Sequence, residues 1–170
     1  YKLWLDKTMT YSSAIFEDEK ESLQKAQENK YQSLIDNLNI KPHHKVLEIG
    51  CGWGGFAEYA AKNVGCSIKG ITISPSQLKF AKNRIKESKL ESKVSLELCD
   101  YRDLKGKYDR VVSIEMIEAV GEKYWKNYFG KIKDVLKKDG MAGIQVILIN
   151  NRSYQKYSRS VDFIQKYVFP

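Results

Sequence analysis

The chain has 170 residues, 42% of them hydrophobic and 29% charged, the balance of a soluble globular protein with room for one core. No apolar run approaches the roughly 18 residues needed to cross a bilayer, so a membrane-spanning helix is not expected. The net charge of +8 suits an acidic partner, but Lys137-Lys138 is the densest basic pair, and a Lys-rich solvated surface is a better reading than a nucleic-acid stripe.

The chain opens YKLWLDKTMTY, without an initiator Met, a charged start or an apolar middle, so it reads as beginning inside a longer protein and without a signal peptide. Cys51, Cys66 and Cys99 are odd in number and form no CxxC. They suggest neither a disulfide framework nor a metal site, and they fit a reducing, cytoplasmic setting. His43-His44 reads as a solvated turn beside Pro42, because adjacent residues do not share a face for chelation.

From Glu17 to Asn39 the pattern is helical, with Leu23, Ala26, Gln27, Leu34, Ile35 and Leu38 at spacings of three and four and charges between them. Pro42 stops this helix. Lys45–Ile49 reads as a strand ended by glycines, Phe56–Val64 as a short Ala-rich helix, and Ser67–Ile73 as a second strand. Ser74-Pro75-Ser76-Gln77 is a helix start, with Ser74 as N-cap, Pro75 at N1 and Gln77 placed to complete a capping box. That helix runs to about Lys89. Val94–Leu98 and Tyr108–Ile114 are the third and fourth strands. A helix is expected from Glu122 to Lys138, carrying Trp125, Phe129, Ile132, Val135 and Leu136 on one side and ended by Gly140. Met141–Ile149 is the fifth strand. The polar, Tyr-rich stretch from Asn150 ends in a short helix around Asp162 to Tyr167. Strands alternating with helices imply a mainly parallel sheet covered on both faces.

The segment Leu47-Glu48-Ile49-Gly50-Cys51-Gly52-Trp53-Gly54-Gly55 follows a strand and opens a helix, where glycines permit a tight turn and close approach to a ligand. A generic Rossmann turn would look the same. A dinucleotide site would want an acid at the end of the second strand, and here that strand ends Ile71-Thr72-Ile73-Ser74. Glu48 stands before the glycines, a poor place to face a pyrophosphate but a useful one near a cation. The Walker lysine is absent, so nucleoside triphosphate hydrolysis is not expected.

Met9-Thr10-Tyr11-Ser12-Ser13-Ala14, the glycine loop, Gly70-Ile71-Thr72-Ile73-Ser74 with Gln77, Asp100-Tyr101-Arg102-Asp103, Tyr108 to Gly121 with its Glu115-Met116-Ile117-Glu118-Ala119-Val120-Gly121 end, and Asp162 to Pro170 follow one another in an order that resembles the cyclopropane-fatty-acyl-phospholipid synthases. The resemblance implies an α/β, Rossmann-like class I methyltransferase with helices on both faces of a mainly parallel sheet, truncated after about five strands. It implies one domain over 1–170: an N-terminal helical cap to about residue 41, a core over about 42–150, and the start of a substrate-side segment over 151–170. Seven strands are normal there, so a fragment is expected.

The same resemblance implies that S-adenosyl-L-methionine is held by Tyr11 and Ser12 at its methionine end, by the backbone of Gly50, Cys51 and Gly52, by Thr72 and Gln77 at the ribose, and by Tyr101 and Arg102 around the adenine. Ile114 and Glu115 complete the site at the end of the fourth strand. Without the flanking motifs, Tyr101 and Arg102 read equally well as a packed loop aromatic and a surface ion pair, and Thr72 as an ordinary strand residue. The implied reaction is methyl transfer to a cis double bond of an unsaturated phospholipid acyl chain at a membrane surface, with a bicarbonate ion as base. Glu118 matches the family carboxylate at that ion, Gln145 stands where some members have His, Ser13 where some have Cys, and Ile147 offers its backbone. Ala119 departs from members with His after the Glu, which leaves cyclopropane, methylene and methyl-branched products open. A small-molecule N-methyltransferase, which shares the Tyr-Ser opening, and a cofactor-binding module without activity are the alternatives. Peripheral attachment to a membrane, no nucleic-acid partner and no resident metal are expected, and a homodimer is left open.

Overall fold

The structure, a computed structural model, describes residues 3–159, 161, 166 and 167. The elements follow as α1 (Leu23–Asn37), β1 (Lys45–Ile49), α2 (Gly55–Asn63), β2 (Ser67–Thr72), α3 (Pro75–Glu87), β3 (Val94–Leu98), β4 (Tyr108–Ile114), α4 (Ile117–Val120), α5 (Trp125–Val135), β5 (Leu136–Gln145) and α6 (Asn151–Tyr157), with 3₁₀ turns over Tyr101–Asp103 and Glu122–Tyr124. The five strands lie in the order β3-β2-β1-β4-β5. Every pairing is parallel. Parallel strands need crossovers that cover the sheet, which is why β1 can be apolar on both faces.

Alternation along the strands builds two cores. Val46, Ile68 and Val112 face Tyr31, Ile35, Phe56, Ala57, Ala81 and Ile85 of α1, α2 and α3. Leu47, Ile49, Ile71 and Val111 face Tyr128, Ile132 and Val135 of α5. Each fully buried large apolar side chain stabilises by about 1.5–3 kcal/mol. The sheet order departs in opposite directions from β1 and β4, so the crevice beyond their carboxyl ends is the place where α/β sheets bind ligands.

Several expectations are corrected. α1 begins at Leu23, not Glu17, because Ser22 caps it, its Oγ accepting from the Lys25 amide at 3.2 Å. The preceding residues form a turn in which Asp18 accepts from the Lys20 and Glu21 amides. The polar residues of α1 do not all lie outside: the charged Lys30 and the amides of Asn29 and Gln27 are buried with Ala26, Tyr31 and Ile35. Gln77 does not close a capping box. Ser74 Oγ accepts from the Gln77 amide at 3.3 Å, but the Ser74 amide donates to Thr72 Oγ1 at 3.1 Å. His44 is buried rather than solvated, its Nδ1 accepting from the Lys41 amide at 3.1 Å.

The largest difference is at the fifth strand. α5 stops at Val135, and its buried face is Tyr128, Ile132 and Val135, with Trp125 and Phe129 exposed. Leu136 already pairs with Tyr108, and Met141 with Arg110, so residues 137–140 form an irregularity within β5. A Cβ on Gly140 would meet Leu136 Cδ2 at 2.9 Å, which marks a close turn inside a strand rather than a helix end. α6 was not foreseen. The helix expected around Asp162 to Tyr167 lies outside the described residues except for Lys166 and Tyr167.

Candidate active site

The glycine loop sits at the carboxyl end of β1. Gly50 has φ +79, and a Cβ there would meet Met116 Cγ at 2.3 Å, so glycine is required on both counts. Gly52 has φ +50 with nothing within 4 Å of an added Cβ, which leaves open space against bare backbone. The Gly50 and Cys51 amides both donate to Ile71 O, at 3.0 and 2.8 Å, and tie the loop to β2. Glu48 points beneath this loop, into the core under α2. It is buried, accepts from the Ala57 amide, and its Oε2 has no partner among the described residues. Burial pushes its pKa up to about 8, and the Ala57 hydrogen bond opposes that only in part.

At the ends of β4 and β5 a second group converges. Glu115 takes a left-handed backbone with φ 50, and its amide donates to Gln145 O at 2.9 Å. A residue other than glycine in that region stores strain, a frequent mark of functional positions. Its Oε1 accepts from the Ser13 amide at 3.1 Å, Ser13 Oγ at 2.9 Å and Gln145 Nε2 at 2.9 Å. The same Gln145 amide also reaches Ser12 Oγ at 3.2 Å and Ser13 Oγ at 3.1 Å. From α1, Lys30 Nζ donates to Ser12 Oγ at 2.9 Å and Ser13 O at 2.8 Å, and Gln27 Nε2 to Ser12 O at 2.7 Å. Burial lowers the Lys30 pKa to about 8, with Glu115 and then Asp6 opposing. Lys30 and Gln27 were not foreseen as site residues. Their signal was a pair of polar residues three apart on a stripe otherwise made of Ala26, Tyr31 and Ile35.

Glu118 lies on α4. Its Oε1 accepts from the Ile147 amide at 2.6 Å, and its Oε2 is buried without a partner among the described residues. Ser13 and Gln145 are therefore joined to each other and to Glu115, while Glu118 is joined to the backbone two residues beyond Gln145. Thr72 Oγ1 donates to Gln77 Oε1 at 2.9 Å, which leaves the amide hydrogens of Gln77 outside that pair. Arg102 makes a two-pronged bond with Asp100, Nε to Oδ1 at 2.9 Å and Nη2 to Oδ2 at 2.7 Å, which raises the guanidinium's pKa and lowers the carboxyl's. Tyr101 stands edge-on to Tyr128, with ring centroids 5.1 Å apart. Tyr11 is half exposed and meets Trp4 edge-on at 5.4 Å. An open groove of about 740 Å³ lies elsewhere, along α2 and α3 beside Glu58, Lys62 and Arg84, away from the strand ends.

The arrangement suits a compact ligand carrying both signs of charge. Glu115 offers a carboxylate, Lys30 and Ser12 offer donors, Gly52 leaves room, and the lone Oε2 of Glu118 calls for a hydrogen-bond partner. These features fit S-adenosylmethionine, with its ammonium, sulfonium and carboxylate.

Comparison with known proteins bears on the family and the fold. The family described as mycolic acid cyclopropane synthetase matches residues 1–170. A cyclopropane-fatty-acyl-phospholipid synthase of Escherichia coli K12 is 40% identical over 167 residues, which is 98% of this chain and 41% of that protein. A probable fatty acid methyltransferase of Pseudomonas putida is 37% identical over 100% of this chain and 44% of its own length. Tuberculostearic acid methyltransferase UfaA1 of Mycobacterium tuberculosis is also 37% identical, over 100% of this chain and 41% of its own length. The chain thus spans less than half the length of these relatives. Among solved structures, cyclopropane synthase MmaA2 from Mycobacterium tuberculosis superposes with a TM-score of 0.88 at 25% identity, over 99% of this chain and 62% of that one. Mycolic acid cyclopropane synthase CmaA1, complexed with SAH and CTAB, gives 0.87 at 27% identity, over 99% and 62%. Coclaurine N-methyltransferase, at 22% identity and a TM-score of 0.75 over 82% of this chain and 41% of its own, shares the fold.

Proposed function

We infer that this chain, which belongs to the mycolic acid cyclopropane synthetase family, forms the cofactor-binding part of an S-adenosylmethionine-dependent lipid methyltransferase. Its substrate is the cis double bond of an unsaturated phospholipid acyl chain, and its product a cyclopropane chain, or a methyl-branched one where a separate hydride donor reduces the methylene product. The observation that carries this reading is the cluster of Ser12, Ser13, Glu115 and Gln145 at the strand ends, together with the buried Glu118 oxygen that has no partner among the described residues.

When bound, S-adenosylmethionine supplies a methyl group on a positively charged sulfur. An alkene is a feeble nucleophile with no proton to lose first, so the chain's own part is orientation in a dry site that favours positive charge. Gly50, Cys51 and Gly52 present backbone to the cofactor. Glu115 holds a negative charge beside it. Thr72 and Gln77 serve the ribose with neutral hydrogen bonds, and Tyr101 and Arg102 border the adenine. Tyr11 and Ser12 close over the methionine end. After transfer, a proton leaves the new methyl group as the ring closes. Glu118, the Ile147 backbone, Gln145 and Ser13 are the residues that would hold a bicarbonate ion as the base receiving that proton. The Glu118 oxygen left without a partner among the described residues fits such an ion, because a carboxylate and a bicarbonate can share a proton.

Incubation with unsaturated phospholipid vesicles and methyl-labelled cofactor, followed by mass spectrometry, tests the reading. A one-carbon gain on the acyl chain is expected. Label found only on an amine or a nucleic acid rejects the lipid assignment. Glu118→Gln should lower turnover by about 10²-fold or more, the usual scale for an acid–base group, with cofactor affinity unchanged. Loss of cofactor affinity would instead move Glu118 to the binding site.

A further inference from the structure

Lys30 is 3% exposed. A buried ammonium is costly to desolvate unless something negative offsets it. Its hydrogen-bond partners are neutral, Ser12 Oγ at 2.9 Å and Ser13 O at 2.8 Å. Glu115 and Asp6 act on it only through space. The charge therefore stands behind the Ser12-Ser13 backbone without an ion-paired carboxylate among the described residues.

Its effect on Ser12 is specific. A hydroxyl has two lone pairs and one hydrogen. Ser12 Oγ accepts from Lys30 Nζ on one side and from Gln145 Nε2, at 3.2 Å, on the other. Lys30 occupies one lone pair, and Gln145 Nε2, which divides its two hydrogens among Ser12 Oγ, Ser13 Oγ and Glu115 Oε1, faces the other, so Ser12 is turned toward donating its own hydrogen. The acceptor recorded for its hydrogen is Ser13 O at 3.5 Å, too long for a good O–H···O bond. Gln27 holds the Ser12 carbonyl at 2.7 Å and keeps the segment from turning away.

We propose that Lys30 is the positioning residue for the carboxylate end of the cofactor's methionine moiety: it fixes Ser12 as a hydrogen-bond donor toward that carboxylate and places positive charge behind it. This rests on the cofactor assignment above and adds a buried member of α1 to the site. Glu115, across Ser13, complements the ammonium of the same moiety, so the two ends of the amino acid meet opposite charges.

Calorimetric titration of this chain with two ligands tests the assignment. S-adenosylhomocysteine carries the amino acid end, and 5′-methylthioadenosine lacks it. Lys30→Met should weaken S-adenosylhomocysteine by about tenfold or more, the scale of one hydrogen bond to a charged group. It should leave methylthioadenosine within about twofold, which also serves as the check that the variant is folded. Lys30→Arg should recover most of the loss. Equal weakening of both ligands by Lys30→Met, or no weakening of either, overturns the positioning role while the cofactor assignment stands. Failure of the unsubstituted chain to bind either ligand removes the cofactor assignment, and this role with it.

Discussion

Glu48 is a carboxyl group held inside the packing of a sheet against a helix, hydrogen-bonded to the Ala57 amide and with one oxygen that has no partner among the described residues. Its folded pKa of about 8 stands well above the roughly 4.3 of an unfolded chain. Between those values the folded state keeps a proton that the unfolded state has lost. The stability associated with that proton is fully present below about pH 4 and is lost as pH rises toward 8. Glu48→Gln keeps the shape without the ionisation. Urea midpoints should show the variant gaining on the parent chain progressively between pH 5 and pH 8, and a difference that stays constant across that range would mean Glu48 is ionised in the fold. Lys30 has the opposite sign. Its folded pKa of about 8 lies below the unfolded value near 10.4, so its burial penalty is present below about pH 8 and is relieved as pH rises toward 10.4. Neither burial was legible in the sequence. A charged residue on an amphipathic helix normally faces water, and only the approach of the Ser12-Ser13 segment makes an inward lysine acceptable.

The start of α3 was legible, because capping is chemistry between residues three apart. Ser74 was readable as an N-cap and is one, with Pro75 at the first helical position. Ser74→Ala should lower stability by about 1 kcal/mol, measured by chemical denaturation, with the sheet unaltered by circular dichroism. A loss several times larger would mean the Thr72–Ser74–Gln77 group also anchors the end of β2. On the other face, Ser113 Oγ and Tyr128 OH bond to each other at 2.5 Å with both residues fully buried. Tyr128→Phe strands the serine hydroxyl and should cost about 1–3 kcal/mol, whereas adding Ser113→Ala should recover part of that. A double variant no more stable than the single one would show that packing, not the hydrogen bond, sets the loss. The bounds of β1, β3 and β4 agree with the reading of their short apolar runs between turn residues. β5 does not, because Leu136 continues the apolar spacing of Ile132 and Val135, and nothing local says that it pairs with Tyr108 instead.

Over the whole molecule, the net charge of +8 is spread around a fold in which no described helix is long and apolar enough to cross a membrane. Ile147 and Leu148, just past the end of β5, are exposed on the side where the candidate site opens. For the proposed action on phospholipid chains from outside the bilayer, both features are useful. Well-placed basic residues near an anionic surface contribute about 1 kcal/mol each and are screened within a Debye length. Co-sedimentation with anionic phospholipid vesicles should be strong at low ionic strength and fall steeply toward about 0.5 M salt, with neutral vesicles bound weakly throughout. Equal binding to neutral vesicles would place the attraction in the apolar residues alone.

Local chemistry lets the sequence alone determine the alternation of strands and helices, the glycine loop after β1, the cap of α3 and the order of motifs that marks the family. These depend on neighbours within a few positions, where steric freedom, capping and hydrophobic period act directly. The strand order, the irregular entry into β5, the inward turn of Lys30 and Glu48, and the junction of Ser13 with Glu115 and Gln145 were decided only by tertiary structure. Each brings together groups far apart in the chain, the last from more than a hundred residues away. Their energies exist only once parallel pairing and burial have removed water from between them.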